Sequence, residues 1–401
     1  MNKFDNVFIE NDFVIPDYNN LNIVDLAKYL YSCYGIESDF NKKFEKFQKL
    51  IPKNKHTLLI LSDGMGSNII EKIPDDNIIK KNKVSDMITV FPSTTACVLT
   101  SLVTSKYPSE HGIWGWYNYY RPKNVNYYPL LFLERGSNKP LSNFGISPKD
   151  IFISESKLKH LNCKTTILFP KDINDSIYSD FVSFKKNRFG YKNRLYYFWS
   201  WIGFSRFKKE CLNDETTFTY LYLPDIDNIE HDYGIDDEKV FRKLNEISAL
   251  VEKLSKIDDL TIIVTADHGQ INIHEDVIMD YNKYNKYFYS EPTIDFGTSF
   301  YYVKEEMRKD FVNEFNKDFK NKMYLFETSE FIKKNIFSLY KLDNYSKEGL
   351  GEFISLCKPG FCFINSQNVK EYYRKTLGNH SGLTRDEMII PLIIINSKNI
   401  S

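Results

Sequence analysis

The sequence has no uninterrupted apolar run of the roughly 18 residues that a membrane-spanning helix needs, which argues against a transmembrane segment. Its opening, MNKFDNVFIENDFVIPDYNN, lacks the apolar stretch of a secretory signal, because Asp5, Glu10 and Asp12 interrupt it. Cysteine is scarce, with six residues scattered and none in a C-x-x-C pair. That usage fits reduced thiols better than a disulfide framework or a cysteine-based zinc site, so the expected compartment is the cytoplasm. Excess charge of either sign is missing too: 53 Lys and Arg face 53 Asp and Glu. Neither a basic nucleic-acid-binding surface nor an acidic tail is expected.

What the chain does have is apolar mass. Hydrophobic residues make up 42% and aromatics 16% of 401 positions, enough for a large core and too much for global disorder. That length allows one large α/β domain or two to three ordinary ones, and neither an internal repeat nor a low-complexity linker divides it. Short β-rich runs recur: HTLLIL (56–61) before SDGMG, MITVF (87–91), TTFTYLYL (216–223), LTIIVT (260–265) and MIIPLIII (388–395). Between the third and fourth, Val240, Leu244, Ile247, Val251 and Leu254 recur at steps of four and three, which predicts an amphipathic helix over 237–257. Strand, helix, strand is the order of an α/β fold with a mainly parallel central sheet sandwiched by helices. Ligands of such sheets sit at the carboxyl ends of the strands.

Two stretches fit that core less well. Residues 114–213 are aromatic and basic, with Trp116, Tyr117, Tyr196, Tyr197, Trp199 and Trp201 among them. Residues 271–376 hold a strand at 298–303 and a helix at 304–320. Both read as cap insertions. Residues 1–50 read as an N-terminal extension packing on the core, and 51–401 as the catalytic domain.

The polar residues at the strand ends each have a plain structural reading when taken singly. Asp63-Gly64 suits a turn and helix cap, and His380 a surface loop. Asp227 and His231 stand four apart, so on a helix they share one face and can grip one ion. Asp267-His268 ends a buried strand, where a carboxylate needs a partner or a metal. Together Asp63, Asp227, His231, Asp267, His268 and His380 give three carboxylates and three imidazoles, a set suited to Zn²⁺ or Mn²⁺ and large enough for two sites. Paired divalent ions clamp in-line displacement at phosphorus. FPSTTACVLT (91–100) follows a strand and would set a threonine hydroxyl at a helix N-terminus, where N–H groups favour an anion. Trp114 and Trp116, at the start of the first cap stretch, are candidate aromatic stacking residues.

The ordered motifs are strand-Asp-Gly, F-P-S-T-T, T-x-x-Y-P-x-x-H-G, P-D-x-D-x-x-x-H-x-x-G, T-A-D-H-G and G-x-H-x-G-L-T-x-x-E-M-x-x-P-L. This series resembles the type I phosphodiesterase/nucleotide pyrophosphatase branch of the alkaline phosphatase superfamily, from about His56 to Asn396. The resemblance implies that Asp63, Asp267 and His268 ligate one metal, and Asp227, His231 and His380 the other, most simply Zn²⁺ with Mn²⁺ as the alternative. It also implies Thr95 as nucleophile, nine residues before Thr104, with Asp225 behind the ligands and Asp232 solvated. Cys97 reads as a buried structural thiol, and Val98 stands where many members of the branch have a phosphate-holding Asn.

The activity so implied is hydrolysis of phosphodiester or pyrophosphate bonds in nucleotides or similar small molecules, through a covalent phosphothreonine at a two-metal site. The same scaffold serves phosphomonoesterases, phosphonate hydrolases and phosphoryl transferases. An inactive nucleotide-binding module is a further alternative, while threonine at the nucleophile position speaks against a sulfatase.

Overall fold

The computed structural model of the chain describes residues 3–10, 12–38, 42–191, 207–365 and 375–396. Seven strands form the central sheet: β1 (His56–Ser62), β2 (Lys83–Ile88), β3 (Lys164–Pro170), β4 (Arg188–Tyr191), β5 (Thr217–Leu223), β6 (Leu260–Thr265) and β7 (Ile389–Asn396). Their order is β2-β7-β6-β1-β5-β3-β4. The run from β6 to β4 is parallel, and β7 lies antiparallel to both β6 and β2. In β1, β5 and β6 every residue is buried, as a strand covered on both faces requires. Leu59 faces Tyr220 on one side and Ile263 on the other, so the centre of the sheet is also the centre of the largest core cluster.

Four helices matter for the site: α1 (Ile23–Ser32), α2 (Thr95–Thr104), α3 (Asp225–Tyr233) and α4 (Glu238–Leu254). Helix α4 is the one its periodicity predicts, burying Val240, Leu244, Ile247, Val251 and Leu254, with the Asp237 side chain capping the Lys239 N–H. Helix α2 is buried on nearly every side. Its polar side chains therefore close on its own backbone: the Thr100 and Thr104 hydroxyls donate to the Ala96 and Thr100 carbonyls at 2.7 and 2.6 Å. Among the described residues no helix is long and apolar enough to cross a membrane.

The first expected cap is narrower than its composition suggests. Lys164–Pro170 and Arg188–Tyr191 are β3 and β4 of the central sheet, so the chain returns to the core in the middle of the stretch. The aromatic and basic neighbours of these strands hide them from a composition-based reading. What lies above the sheet is a three-stranded ribbon of Asn118–Tyr120, Val125–Tyr128 and Leu133–Glu134. Tyr196, Tyr197, Trp199 and Trp201 lie outside the described residues. Within the second stretch, Phe288–Asp295, Thr298–Val303, Phe353–Cys357 and Met323–Glu327 form an antiparallel sheet. Helix Arg308–Phe319 buries Phe311, Phe315 and Phe319 in the cluster beneath that sheet.

The N-terminal segment packs on both parts. Tyr31 of α1 donates to the Leu102 carbonyl at 3.0 Å, and the Tyr18 hydroxyl accepts the Phe91 N–H at 3.1 Å, bracing the turn that leads into α2. Just past α2, His111 is fully enclosed: its Nδ1 accepts the Ile113 N–H at 3.1 Å and its Nε2 lies 2.8 Å from the Ser101 hydroxyl. That pairing requires a neutral ring. Burial first, and Lys106 second, push its pKa from 6.5 down to about 3. An unfolded chain binds this proton below pH 6.5, while the native one resists it to about 3. Stability from His111 is therefore complete above that window and falls as pH drops through it, by up to about 1.4 kcal/mol per pH unit. Urea unfolding between pH 7 and 5 should show this slope, and His111→Asn should flatten it; an equal slope in the variant would assign the loss to other groups.

Candidate active site

The carboxyl ends of β1, β5 and β6 converge with the entry to α2 and the loop before β7. Asp63 follows β1, with its N–H on the Leu223 carbonyl at 2.8 Å and its own carbonyl accepting the Asp227 N–H at 3.1 Å. Gly64 allows the turn: its φ is +75°, and a Cβ there would meet Asp227 backbone at 2.9 Å. The Asp267 carboxylate, after β6, takes N–H bonds from Gly64 at 3.1 Å and His268 at 2.9 Å. Gly269 is forced by close approach, since a Cβ would lie 2.1 Å from the Asp386 carbonyl oxygen.

Two overlapping ligand groups result. Asp63, Asp267 and His268 bring one ligand atom each within 4.8 Å of one another, and so do Asp227, His268 and His380. His231, one helical turn past Asp227 on α3, places Nε2 3.3 Å from Asp227 Oδ1, and His380 Nε2 is 3.6 Å from the same oxygen. His268 is common to both groups, and its ring stacks on that of His380 with centroids 3.7 Å apart. All three imidazoles present the same nitrogen. Nδ1 of His231, His268 and His380 lies 2.8, 3.2 and 2.9 Å from the carbonyls of Gly378, Gly269 and Ser93. A proton held there leaves each Nε2 lone pair facing the centre, the arrangement of metal-ligating histidine.

Three buried carboxylates this close do not balance by themselves. Burial first, then the Asp267 and Asp227 charges, drive the Asp63 carboxyl well above its ordinary range, although the Tyr222 hydroxyl donates to Oδ2. Burial also works to raise Asp227, but His231 and His380 outweigh it and hold that group below the usual carboxylate range. Burial, with His268 adding to it, lowers His380. Asp63 Oδ1 and Asp267 Oδ2 are buried without a hydrogen-bond donor. Such orphaned oxygens among imidazole lone pairs fit divalent cations, which would supply the missing positive charge.

Thr95 begins α2, and its Oγ1 is 3.2 Å from His268 Nε2, at the edge of the first ligand group. Of the two expected stacking residues, Trp114 is excluded as a stacking surface. It is 2% exposed, its indole N–H donates to the Ser346 carbonyl at 2.9 Å, and Phe337 and Phe300 pack edge-on against it. Trp116 is half-buried, with its ring edge-on to Tyr128. Cys97 is fully buried, and burial drives its thiol well above the usual value, consistent with a structural role.

Three supporting residues escaped the sequence reading. Gln270 is fully buried and donates to Asp227 Oδ1 at 2.6 Å and to the Asp227 carbonyl at 3.2 Å. Its place right after Asp267-His268-Gly269 was the available signal. Tyr222 and the cap residue Asp295 carried none. Asp295 reaches the loops of the site from the end of the cap strand Phe288–Asp295: its Oδ2 accepts the Trp116 N–H at 2.8 Å and its carbonyl accepts the Ser381 hydroxyl.

The family model described as type I phosphodiesterase / nucleotide pyrophosphatase matches residues 57–382. The chain belongs to this family. It is thus a phosphodiesterase/pyrophosphatase-type hydrolase on the alkaline phosphatase scaffold, and the ligand groups accord with the metal dependence of the family. No curated protein matches the sequence with significance. Among solved structures, murine ectonucleotide pyrophosphatase / phosphodiesterase 5 aligns with a TM-score of 0.61 at 15% identity, covering 84% of this chain and 87% of that one. An inactive variant of it in complex with AMP aligns equally well, with TM-score 0.61, 15% identity and coverages of 86% and 88%. Phosphonoacetate hydrolase from Sinorhizobium meliloti in complex with phosphonoformate gives 0.62 at 13% identity, covering 86% and 91%. At such identities the likeness concerns the fold alone, while the family rests on the sequence match.

Proposed function

We propose that this phosphodiesterase-family hydrolase cleaves phosphodiester or pyrophosphate bonds of small nucleotides by a double displacement through Thr95. One observation carries the reading: a threonine hydroxyl opens a buried helix 3.2 Å from a buried imidazole that is common to two ligand groups. Asp63, Asp267 and His268 would hold one divalent ion, and Asp227, His231 and His380 a second, most simply Zn²⁺. When bound, such ions supply Lewis acidity that lowers the pKa of a coordinated hydroxyl and offsets charge on phosphoryl oxygens.

The chain's own groups then have separable tasks. Thr95 Oγ1 loses its proton to solvent and attacks phosphorus in line; the bond from phosphorus to the leaving oxygen breaks, that oxygen takes a proton back from water, and a threonine phosphoester remains. N–H groups of the first turn of α2, which have no intrahelical acceptor, donate to phosphoryl oxygens. Water then attacks the ester from the vacated side, and two inversions retain configuration at phosphorus. Gln270 fixes the rotamer of Asp227 throughout. Trp116 offers a half-buried ring to a nucleobase in the leaving group.

Zinc- or manganese-loaded protein is expected to hydrolyse bis-(p-nitrophenyl) phosphate faster than p-nitrophenyl phosphate, and to release nucleoside monophosphates from dinucleotides, NAD or nucleoside triphosphates, identified by mass spectrometry. Faster monoester hydrolysis would move the assignment to a phosphatase. Turnover of phosphonates alone would move it to a phosphonate hydrolase.

A further inference from the structure

The run Gly382-Leu-Thr-Arg-Asp-Glu-Met388 is a motif in the sequence, yet only His380, two residues before it, has a task in the site. Glu387 lies in this run and is buried. Its Oε2 accepts the Thr384 N–H at 3.0 Å, half of the capping box that opens the short helix Arg385–Met388, and the Thr384 hydroxyl at 2.6 Å. Oε1 does more than a cap requires, accepting the Gly382 N–H at 2.7 Å. From Gly382 the contacts lead into the site. The Gly382 carbonyl accepts the Ser93 hydroxyl at 2.8 Å, and the Ser93 carbonyl lies 2.9 Å from His380 Nδ1. The main-chain carbonyl of Glu387 meanwhile accepts the Gly269 N–H at 3.0 Å, and the Gly269 carbonyl lies 3.2 Å from His268 Nδ1. Glu387 thus stands behind both of the stacked imidazoles.

The consequence concerns the orientation of His380. An imidazole keeps its Nε2 lone pair free for a ligand only while an acceptor holds the proton on Nδ1 and fixes the ring. For His380 that acceptor is the carbonyl of Ser93, a buried residue in the turn before α2 that belongs to no helix or strand. What fixes Ser93 against the His380 loop is its hydroxyl on Gly382, and what fixes Gly382 is Glu387 Oε1. Burying a carboxyl group is costly unless donors meet it, and here Gly382 and Thr384 supply three. We infer that Glu387 is a positioning residue for His380: through Gly382 and Ser93 its carboxylate keeps His380 Nε2 turned toward Asp227 Oδ1, 3.6 Å away, and so sets the zinc affinity of the group formed by Asp227, His231 and His380. The inference rests on the metal-binding reading of the site and adds to it a residue that touches neither substrate nor ion.

Zinc affinities of the full chain, read by competition with a chromophoric chelator, test it in Glu387→Gln, Ser93→Ala, the double variant and Leu254→Ala. Glutamine keeps the size of the side chain but has one acceptor oxygen, so it cannot serve both Gly382 and Thr384. In Glu387→Gln one zinc equivalent should bind about 10- to 100-fold more weakly, with the other within about twofold of wild type. The loss is confined to one ion because the main-chain bond to Gly269 survives the substitution. Ser93→Ala breaks the same path at its next link and should weaken the same ion. The double variant should bind that ion within about twofold of the weaker single variant. Leu254→Ala opens a cavity in the core at the end of α4, lowers thermal stability and should leave both affinities unchanged, which separates positioning from general destabilisation. Should thermal melting show Glu387→Gln to be unfolded, Ser93→Ala against Leu254→Ala carries the test on the same terms. Unchanged affinities in Glu387→Gln and Ser93→Ala, an equal loss at both ions, or losses that add in full overturn this inference alone. A wild type that takes up no zinc overturns the metal-binding reading and this inference with it.

Discussion

Thr95→Ala is expected to fold, to keep its metals and to turn over at least about a thousandfold more slowly than wild type, a loss of roughly 4 kcal/mol of transition-state stabilisation. The size follows from what the hydroxyl does. It is the one oxygen at the start of α2 that approaches the shared imidazole, at 3.2 Å from His268 Nε2, and its removal leaves only direct attack by water. Helix α2 should survive the change, since alanine is a good helix former and Thr95, alone among the residues of α2, is not buried. Thr95→Ser should retain part of the rate, as it keeps the oxygen and frees its rotation. Acid quenching during turnover, followed by peptide mapping, should place phosphate on Thr95. A label on Thr94 or Cys97, or full activity in Thr95→Ala, would mean that another group attacks. The chemistry already disfavours Cys97, because burial keeps its thiol protonated.

How much of this was legible in the sequence differs by element, for physical reasons. Strands β1, β5, β6 and β7 stand out because a strand buried on both faces must be apolar throughout, and α4 because one face must repeat every three to four residues. Strands β3 and β4 did not. They lie toward the edge of the sheet, and Lys164 and Gly190 are exposed there, so the apolar signal weakens. The ligand-type residues announced themselves because each terminates such a legible element. Asp63 follows β1, Asp267 and His268 follow β6, Asp227 lies in the first turn of α3 just after β5, and the fold brings them together with His380. Trp114 failed for the opposite reason: an indole is equally suited to stacking on a base and to filling a core, and only the Ser346 carbonyl and the surrounding phenyl rings decide. Asp295 is the deepest miss. Its relevance depends on the cap strand Phe288–Asp295 ending against the loops of Trp116 and Ser381, which no local pattern encodes.

Asp227→Asn and His380→Ala should each lose about one of two equivalents of divalent metal and most of the activity, whereas Asp225→Asn should keep far more of both. The two aspartates are two residues apart on α3 and both well shielded, so burial does not separate them; direction does. Asp225 Oδ1 lies 3.8 Å from the Lys243 ammonium on α4. Asp227 Oδ1 lies 3.3 Å from His231, 3.6 Å from His380 and 2.6 Å from the Gln270 amide. Asparagine at 227 is neutral and a weak ligand, and it leaves the imidazoles of His231 and His380 without the charge that organises them. At 225 the same change removes a partner of Lys243, a loss of roughly 1–3 kcal/mol in stability if that pair is well packed. Elemental analysis after dialysis should therefore read about two ions for wild type and Asp225→Asn and about one for Asp227→Asn, with activity abolished by chelator and restored by zinc or manganese. If Asp225→Asn proves the inactive protein and Asp227→Asn the active one, the ligand register on α3 is wrong. If wild type binds no stoichiometric metal and ignores chelator, the orphaned oxygens of Asp63 and Asp267 serve some other end, and the double-displacement reading falls with them.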